Sequence, residues 1–432
     1  MNKNDASIIL ESQAHFFYTD IPMNPSRVRL VFFVTFSILT GILFFSCGLS
    51  PIRHDDAAVR ESRRLVSLMS VDEKASQTLM AGISGSERFS PSLKDSFRDA
   101  VPGAILLFRY NIASTPEAVH AFTQSCNDAF ESLGSRVPVA FAIDNEGGDV
   151  YRTGSLTFRL PSAAWVASSL DAGTAEKLYE YSARELSLMG IRMNLAPVVE
   201  SLTDDNAGFL GSRSWSGDPD VVVKYSSAAI RGNRAGGMIS VLKHFPGTGA
   251  GDPHRGDSIL NASESDFNRL HLEPFHRVLK ENPEAILVSH CVVPSIDPDT
   301  PFCISTKGVS GILRNRLKYS GVVITDDVAM KALASRGLSP GKAAELALRA
   351  GCDMVMTSGG DIRSVRNAIA DAAKDDPVFA ARLDEAVARI IAMKIRSGLL
   401  GLATGAGSFD EKSFFAARNA GQMILEETNG KK

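Results

Sequence analysis

"GVVITDDVAM", from Gly321 to Met330, carries five uncharged residues, four of them β-branched, straight into a pair of aspartates. A β-branched run of this length bounded by polar residues reads as a buried strand, here predicted over 321–326. Seven other runs share the pattern: "QTLMAGI" (77–83), "GAILLF" (103–108), "VPVAFAI" (137–143), "IRMNLAPV" (191–198), "MISVLK" (238–243), "AILVSH" (285–290) and "DMVMTS" (353–358). Helix-period segments lie between them, such as "TAEKLYEYSARELSLMG" and "GKAAELALRAG", the second closed by Gly351. Strands alternating with helices point to an α/β fold, and the count of eight favours a single (β/α)8 TIM-type barrel over an open doubly wound sheet.

Barrel enzymes carry their chemistry at the C-terminal ends of the strands, so polar groups should gather there. Arg109 and Asn111 follow the second run, Asp144 and Glu146 the third, Lys243 and His244 the fifth, His290 the sixth, and Asp326 and Asp327 the seventh. Ordinary surface turns favour Asn, Gly, Ser and Asp. Lysine, histidine, arginine and glutamate at successive strand ends suggest an active-site mouth instead.

Composition narrows the partners. The 432 residues hold 46 basic and 49 acidic side chains, which leaves no positive excess for nucleic acid. Cys47, Cys126, Cys291, Cys303 and Cys352 form no CxxC pair, and five cannot all be bridged within one chain, so neither a structural zinc nor a disulfide scaffold is expected. At the amino terminus Arg27 and Arg29 precede an apolar run from Leu30 to Phe45 that ends at Ser46 and Cys47. That layout is a signal sequence resembling those of bacterial lipoproteins, in which the cysteine carries the lipid. An uncleaved anchor helix is the alternative, and Met23 is an alternative start. The expected organisation is a signal over 1–47, a linker over 48–60, the barrel over 61–402 and a tail over 403–432, on an extracytoplasmic, membrane-anchored monomer.

The stretch "LKHFPGTGAGDPHRGDS" (242–258) admits three readings. As a phosphate cradle it lacks the Lys-Ser or Lys-Thr that follows a P-loop. As a metal site it lacks the usual histidine spacings, although His244, Asp252, His254 and Asp257 are suitable ligands. Acid and base catalysis remains, with the glycines read as a hinge that lets the loop swing. Carboxylates converging on one mouth beside a histidine-bearing loop fit glycoside hydrolysis, which needs a nucleophile beneath the sugar and a proton donor beside the leaving oxygen.

Six motifs, "AIDNEGGDVYR", "APVVE", "GSRSWSGDP", "KHFPGTG", "SHCVVPSID" and "GVVITDDVAM", resemble in order those of glycoside hydrolase family 3, and within it the single-domain β-N-acetylglucosaminidases (β-hexosaminidases). The resemblance covers roughly residues 60 to 402. It implies Asp326 as nucleophile, His254 as acid/base and Asp252 as the residue holding its ring. It implies Asp144, Arg152, Arg213, Lys243 and His244 as the sugar pocket, with no metal or organic cofactor. His290 would support the pocket from behind. The chain departs from the family at Asp149, where arginine is usual, at Thr248, where histidine is common, and in a loop about two residues shorter before Asp252. The expected activity is exo-hydrolysis of terminal β-N-acetylglucosaminyl residues in peptidoglycan or chitin-type oligosaccharides, through a glycosyl-Asp intermediate. A phosphorylase, another β-glycosidase of the family, and an inactive sugar-binding surface lipoprotein stand as alternatives.

Overall fold

In the computed structural model, described over residues 54–251, 255–256, 258–359, 361–401 and 407–430, each of the eight apolar runs contributes a strand. They are β1 (Leu79–Gly82), β2 (Ala104–Leu107), β3 (Ala140–Ile143), β4 (Met193–Asn194), β5 (Ile239–Phe245) and β6 (Ala285–Val288), then β9 (Val322–Thr325) and β10 (Val355–Thr357). Between β6 and β9 lies an antiparallel hairpin, β7 (Val292–Val293) with β8 (Asp297–Pro301), which the sequence pattern does not announce. The eight pair in parallel in the order β10-β1-β2-β3-β4-β5-β6-β9. A parallel bridge from Ile324 to Met354 and the Thr325 amide donating to the Met354 carbonyl at 3.0 Å join the two ends. The expected (β/α)8 barrel is therefore the fold. Most strands are shorter than predicted because the flanking residues leave the ladder for the loops; β5 alone runs further, to Phe245.

Strand alternation sorts the core into two layers. Met80, Ala104, Leu106, Ala140, Ala142, Ile239, Val241, Val322, Ile324 and Met356 form one buried cluster, filling the barrel. Their neighbours Ile105, Leu107, Phe141, Ile143, Leu242, Val323 and Val355 belong to the other, beneath the helices. Successive side chains point to opposite faces, so residues two apart share a face. Continuing the interior series past each strand, Ala140 and Ala142 lead to Asp144, Ile239 and Val241 to Lys243, and Val322 and Ile324 to Asp326. Three of the expected site residues thus project from the barrel interior at its C-terminal rim, for the same reason that their apolar predecessors fill it.

Two terminal segments differ from expectation. The described part of the stretch read as a linker, from residue 54 to 60, belongs to a helix that runs on to Ser67, and Ala58, Ser62 and Val66 are buried along one face at four-residue spacing. The tail forms a helix over Glu411–Asn429 that buries Phe414, Ala417 and Gly421 and contacts the helix Ala172–Leu188. Gly421 is required there, since a Cβ would stand 2.3 Å from the Phe158 ring. Beneath the start of β10, the fully buried Asp353 carboxylate is paired with Arg314, with Arg382 at 2.6 Å and with Arg389 at 3.1 Å. This is how a lone interior carboxylate stays ionised: three cations and the Val323 amide replace its water.

Candidate active site

A chain of alternating charges lines one side of the mouth. Lys243 Nζ, almost fully buried, lies 2.5 Å from Asp144 Oδ1 and 2.5 Å from Glu146 Oε1. Arg213 grips Glu146 with two parallel bonds of 2.8 Å, and Arg152 approaches Asp144 at 3.6 Å. Burial alone would raise the Glu146 carboxyl, but Lys243 and Arg213 outweigh it and hold it at about 2. The guanidinium of Arg213 also sits 5.0 Å from the centre of the Phe209 ring. Asp144, Arg152, Arg213 and Lys243 are therefore brought together as the sequence anticipated, with Glu146, seen only as a strand-end charge, at their centre. Such an array fixes donors and acceptors in advance and suits a ligand rich in hydroxyls.

His244 faces a different partner. Its Nδ1 lies 2.6 Å from Oε1 of Glu200, a carboxylate with essentially no exposure, which also accepts from the His244 amide at 3.2 Å. The other oxygen of Glu200 accepts from the Thr248 amide at 2.5 Å and from its hydroxyl at 2.8 Å. Burial again works against ionisation, and the bonds from His244 and Thr248 overcome it, leaving the carboxyl lowered. Glu200 ends the motif "APVVE" after the fourth strand, where the strand-end rule that flagged Asp144 and Lys243 would have found it.

The loop that follows β5 is less free than its glycines suggest. Ala250 and Ile259 form an antiparallel bridge, their amides donating to each other's carbonyls at 3.0 Å. The Gly249 amide donates to Ser258 Oγ at 3.2 Å. A Cβ on Gly249 would meet the Ile259 carbonyl oxygen at 2.0 Å, and one on Gly247 would meet the His271 ring at 2.7 Å. These two glycines allow close approach of backbone, and the reading of them as a swinging hinge is corrected. Asp252 and His254, between Ala250 and Ile259, lie outside the described residues, as does Cys47 at the amino terminus.

Asp326 begins the loop after β9, its amide donating to the Val288 carbonyl of β6 at 3.1 Å. Asp327 turns away. Its carboxylate accepts from the Ala329 amide at 2.9 Å, from the Ser358 amide at 3.2 Å and from the Ser358 hydroxyl. Its carbonyl receives a bond of 2.8 Å from His290 Nε2, which makes Nδ1 of that buried ring the acceptor for the Cys303 thiol at 3.0 Å. His290 thus braces the loop that presents Asp326. Asn111, the other polar group expected at the mouth beside exposed Arg109, is buried: its amide donates to the carbonyls of Ile83 and Gly85, and its oxygen caps the Phe108 amide.

Among the described residues Cys126, Cys291, Cys303 and Cys352 are buried free thiols, and no group of three or more His, Cys, Asp or Glu side chains could hold a metal. No described helix is long and apolar enough to cross a membrane.

Fold and rim together define a (β/α)8-barrel enzyme. The family profile described as glycosyl hydrolase family 3 N terminal domain matches residues 70–393, and the chain belongs to this family: it is a glycoside hydrolase. It is 32% identical over 262 residues to a protein of Nitrosomonas eutropha named beta-hexosaminidase, an alignment covering 59% of this chain and 73% of that one. The solved family 3 beta-N-acetylglucosaminidase of Paenibacillus superposes with a TM-score of 0.76 at 27% identity, over 83% of this chain and 69% of that one. The beta-N-acetylhexosaminidase of Beutenbergia cavernae does so with a TM-score of 0.68 at 27% identity, over 76% and 98%.

Proposed function

We propose that this glycoside hydrolase is an exo-acting β-N-acetylhexosaminidase that removes terminal β-N-acetylglucosaminyl residues with retention of configuration. What supports the reading is the Asp144–Lys243 pair at the end of the barrel interior, with Asp326 following Val322 and Ile324 in the same alternation. The names of the similar proteins support the amino-sugar specificity.

In this scheme Asp144, Arg152, Lys243, His244 and Arg213 hold the terminal sugar. The Asp326 carboxylate attacks the anomeric carbon while His254, oriented by Asp252, donates its proton to the departing oxygen. Neutral His254 then takes a proton from water as that water's oxygen displaces Asp326 from the anomeric carbon. An imidazole suits both steps because its ordinary pKa lies near neutrality. Peptidoglycan or chitin-type fragments are the substrates proposed. An amino-terminal export signal with lipid on Cys47 would hold the enzyme at the cell envelope, which labelled fatty-acid incorporation into wild type and Cys47→Ala tests.

The decisive assay uses a nitrophenyl N-acetyl-β-glucosaminide with wild type, Asp326→Ala and His254→Ala. Asp326→Ala should lose roughly 10³-fold or more in turnover, and an unchanged rate sinks the mechanism. His254→Ala should lose about 10²- to 10⁴-fold on poor leaving groups and far less on activated ones. Release accelerated by added phosphate would mark a phosphorylase instead.

A further inference from the structure

A cavity of about 410 Å³ opens beside the array, with Asp149, Arg159, Trp165 and Ser212 on one side and Leu425 and Asn429 of the carboxy-terminal helix on the other. Its size falls within the roughly 300–1,000 Å³ usual for small-molecule sites. Asp149 lies three residues beyond Glu146, and Ser212 immediately precedes Arg213. The Glu146–Arg213 pair therefore links the two chain segments at the boundary between this cavity and the array around Asp144.

The lining is amphipathic. Trp165 contributes a flat ring, with Leu160, Pro161 and Leu425 as apolar neighbours. Arg159 is exposed and makes no ion pair among the described residues, and Asp149 meets only the Ser212 hydroxyl there, at 3.5 Å. One carboxylate and one guanidinium cancel in formal charge, which disfavours a polyanion or a simple cation. The exposed carboxylate and guanidinium, with Asn429, offer polar partners that a purely hydrocarbon ligand would leave unused. What remains is a neutral molecule with an apolar face and a rim of groups that both donate and accept, which describes a pyranose.

We propose that this cavity is a second saccharide site, in which a sugar ring lies against Trp165 and its hydroxyls meet Asp149, Arg159 and Asn429. The proposal rests on the reading of the chain as a saccharide-processing enzyme, but it concerns binding and not the chemical step.

The chain contains two tryptophans, and the other, Trp215, is buried with its Nε1 donating to the Val198 carbonyl at 2.9 Å. Intrinsic fluorescence therefore reports on this cavity through Trp165 and on the interior beside the array through Trp215. Full-length Asp326→Ala protein, which prevents turnover, is titrated with the N-acetylglucosamine trimer by fluorescence and by calorimetry. Two sites are expected. Trp165→Ala and Arg159→Ala should each weaken one site at least tenfold and leave the other, while Asp144→Ala should weaken only the other. A single site that Asp144→Ala weakens and that Trp165→Ala and Arg159→Ala leave intact overturns the proposal while the catalytic subsite stands. No binding at all also overturns it. A site lost in Trp165→Ala and Arg159→Ala, with Asp144→Ala silent, keeps the cavity and removes the catalytic assignment. Arg159→Ala, an exposed substitution, keeps the test decisive if Trp165→Ala fails to fold.

Discussion

His244 Nδ1 stands 2.6 Å from Glu200 Oε1, and the same carboxylate holds the amide and hydroxyl of Thr248 at the root of the loop after β5. One buried anion thus joins His244, assigned to the sugar pocket in the proposed scheme, to the segment that leads to Asp252 and His254. Position and orientation of both depend on a residue that touches no substrate in the proposed scheme.

Replacing Glu200 by alanine leaves His244 and Thr248 with buried donors and no acceptor. We expect Glu200→Ala to lose about 3 kcal/mol of stability in urea unfolding and Glu200→Gln to lose less. In Glu200→Gln, KM should rise through His244 and kcat on poor leaving groups should fall through the loop. Parameters equal to wild type would reduce Glu200 to a packing group.

Glu146 makes the enzyme sensitive to acid. Its carboxyl is held at about 2 in the folded protein, below its ordinary 4.5, so the stabilisation it confers is complete above about 4.5 and is lost as pH falls toward 2. The amount is of order 3 kcal/mol. Glu146→Gln should be less stable than wild type at pH 7 and should show a flatter stability curve between pH 5 and 2. Thermal unfolding across that range checks both.

Glu185 has the opposite sign. Burial pushes its carboxyl up to about 8; one oxygen accepts from the Phe158 amide at 3.2 Å and the other has no partner among the described residues. Its contribution is complete below about pH 4.5 and is lost as pH rises through 8, where the charged form would be buried unpaired. Glu185→Gln should gain on the order of 5 kcal/mol over wild type at pH 9 and nothing at pH 4, by thermal unfolding at both values.

Gly249→Ala tests the loop root. Its Cβ would fall 2.0 Å from the Ile259 carbonyl oxygen, so the Ala250–Ile259 bridge must open. The barrel should remain folded by circular dichroism, while turnover of poor leaving groups falls on the order of 10²-fold through misplacement of the loop. Wild-type kinetics in this variant would show that the root does not position the acid.

Much of this protein is legible in the sequence because barrel strands write their burial into composition. Eight apolar runs, five of them leading into charged or histidine residues, identify the fold, and period-two alternation carries Asp144, Lys243 and Asp326 from the interior to its rim. Those are local properties of a strand. Pairings between strands are not: Glu146 and Lys243 are almost a hundred positions apart, and nothing in either segment states that they meet at 2.5 Å. Glycine is equally silent, since a residue chosen for flexibility and one chosen for close approach look the same until Ile259 is seen against Gly249. The polar stretch before the barrel and the tail after it read as connectors because their apolar stripes are narrow, and only the surfaces they meet turn them into packed helices. The sequence by itself determined the barrel and the residue types at its mouth, because periodicity and burial are properties of each segment. Tertiary structure decided which carboxylate serves Lys243, which serves His244, and where the loop after β5 is anchored, because those contacts exist only between segments brought together by closure of the sheet.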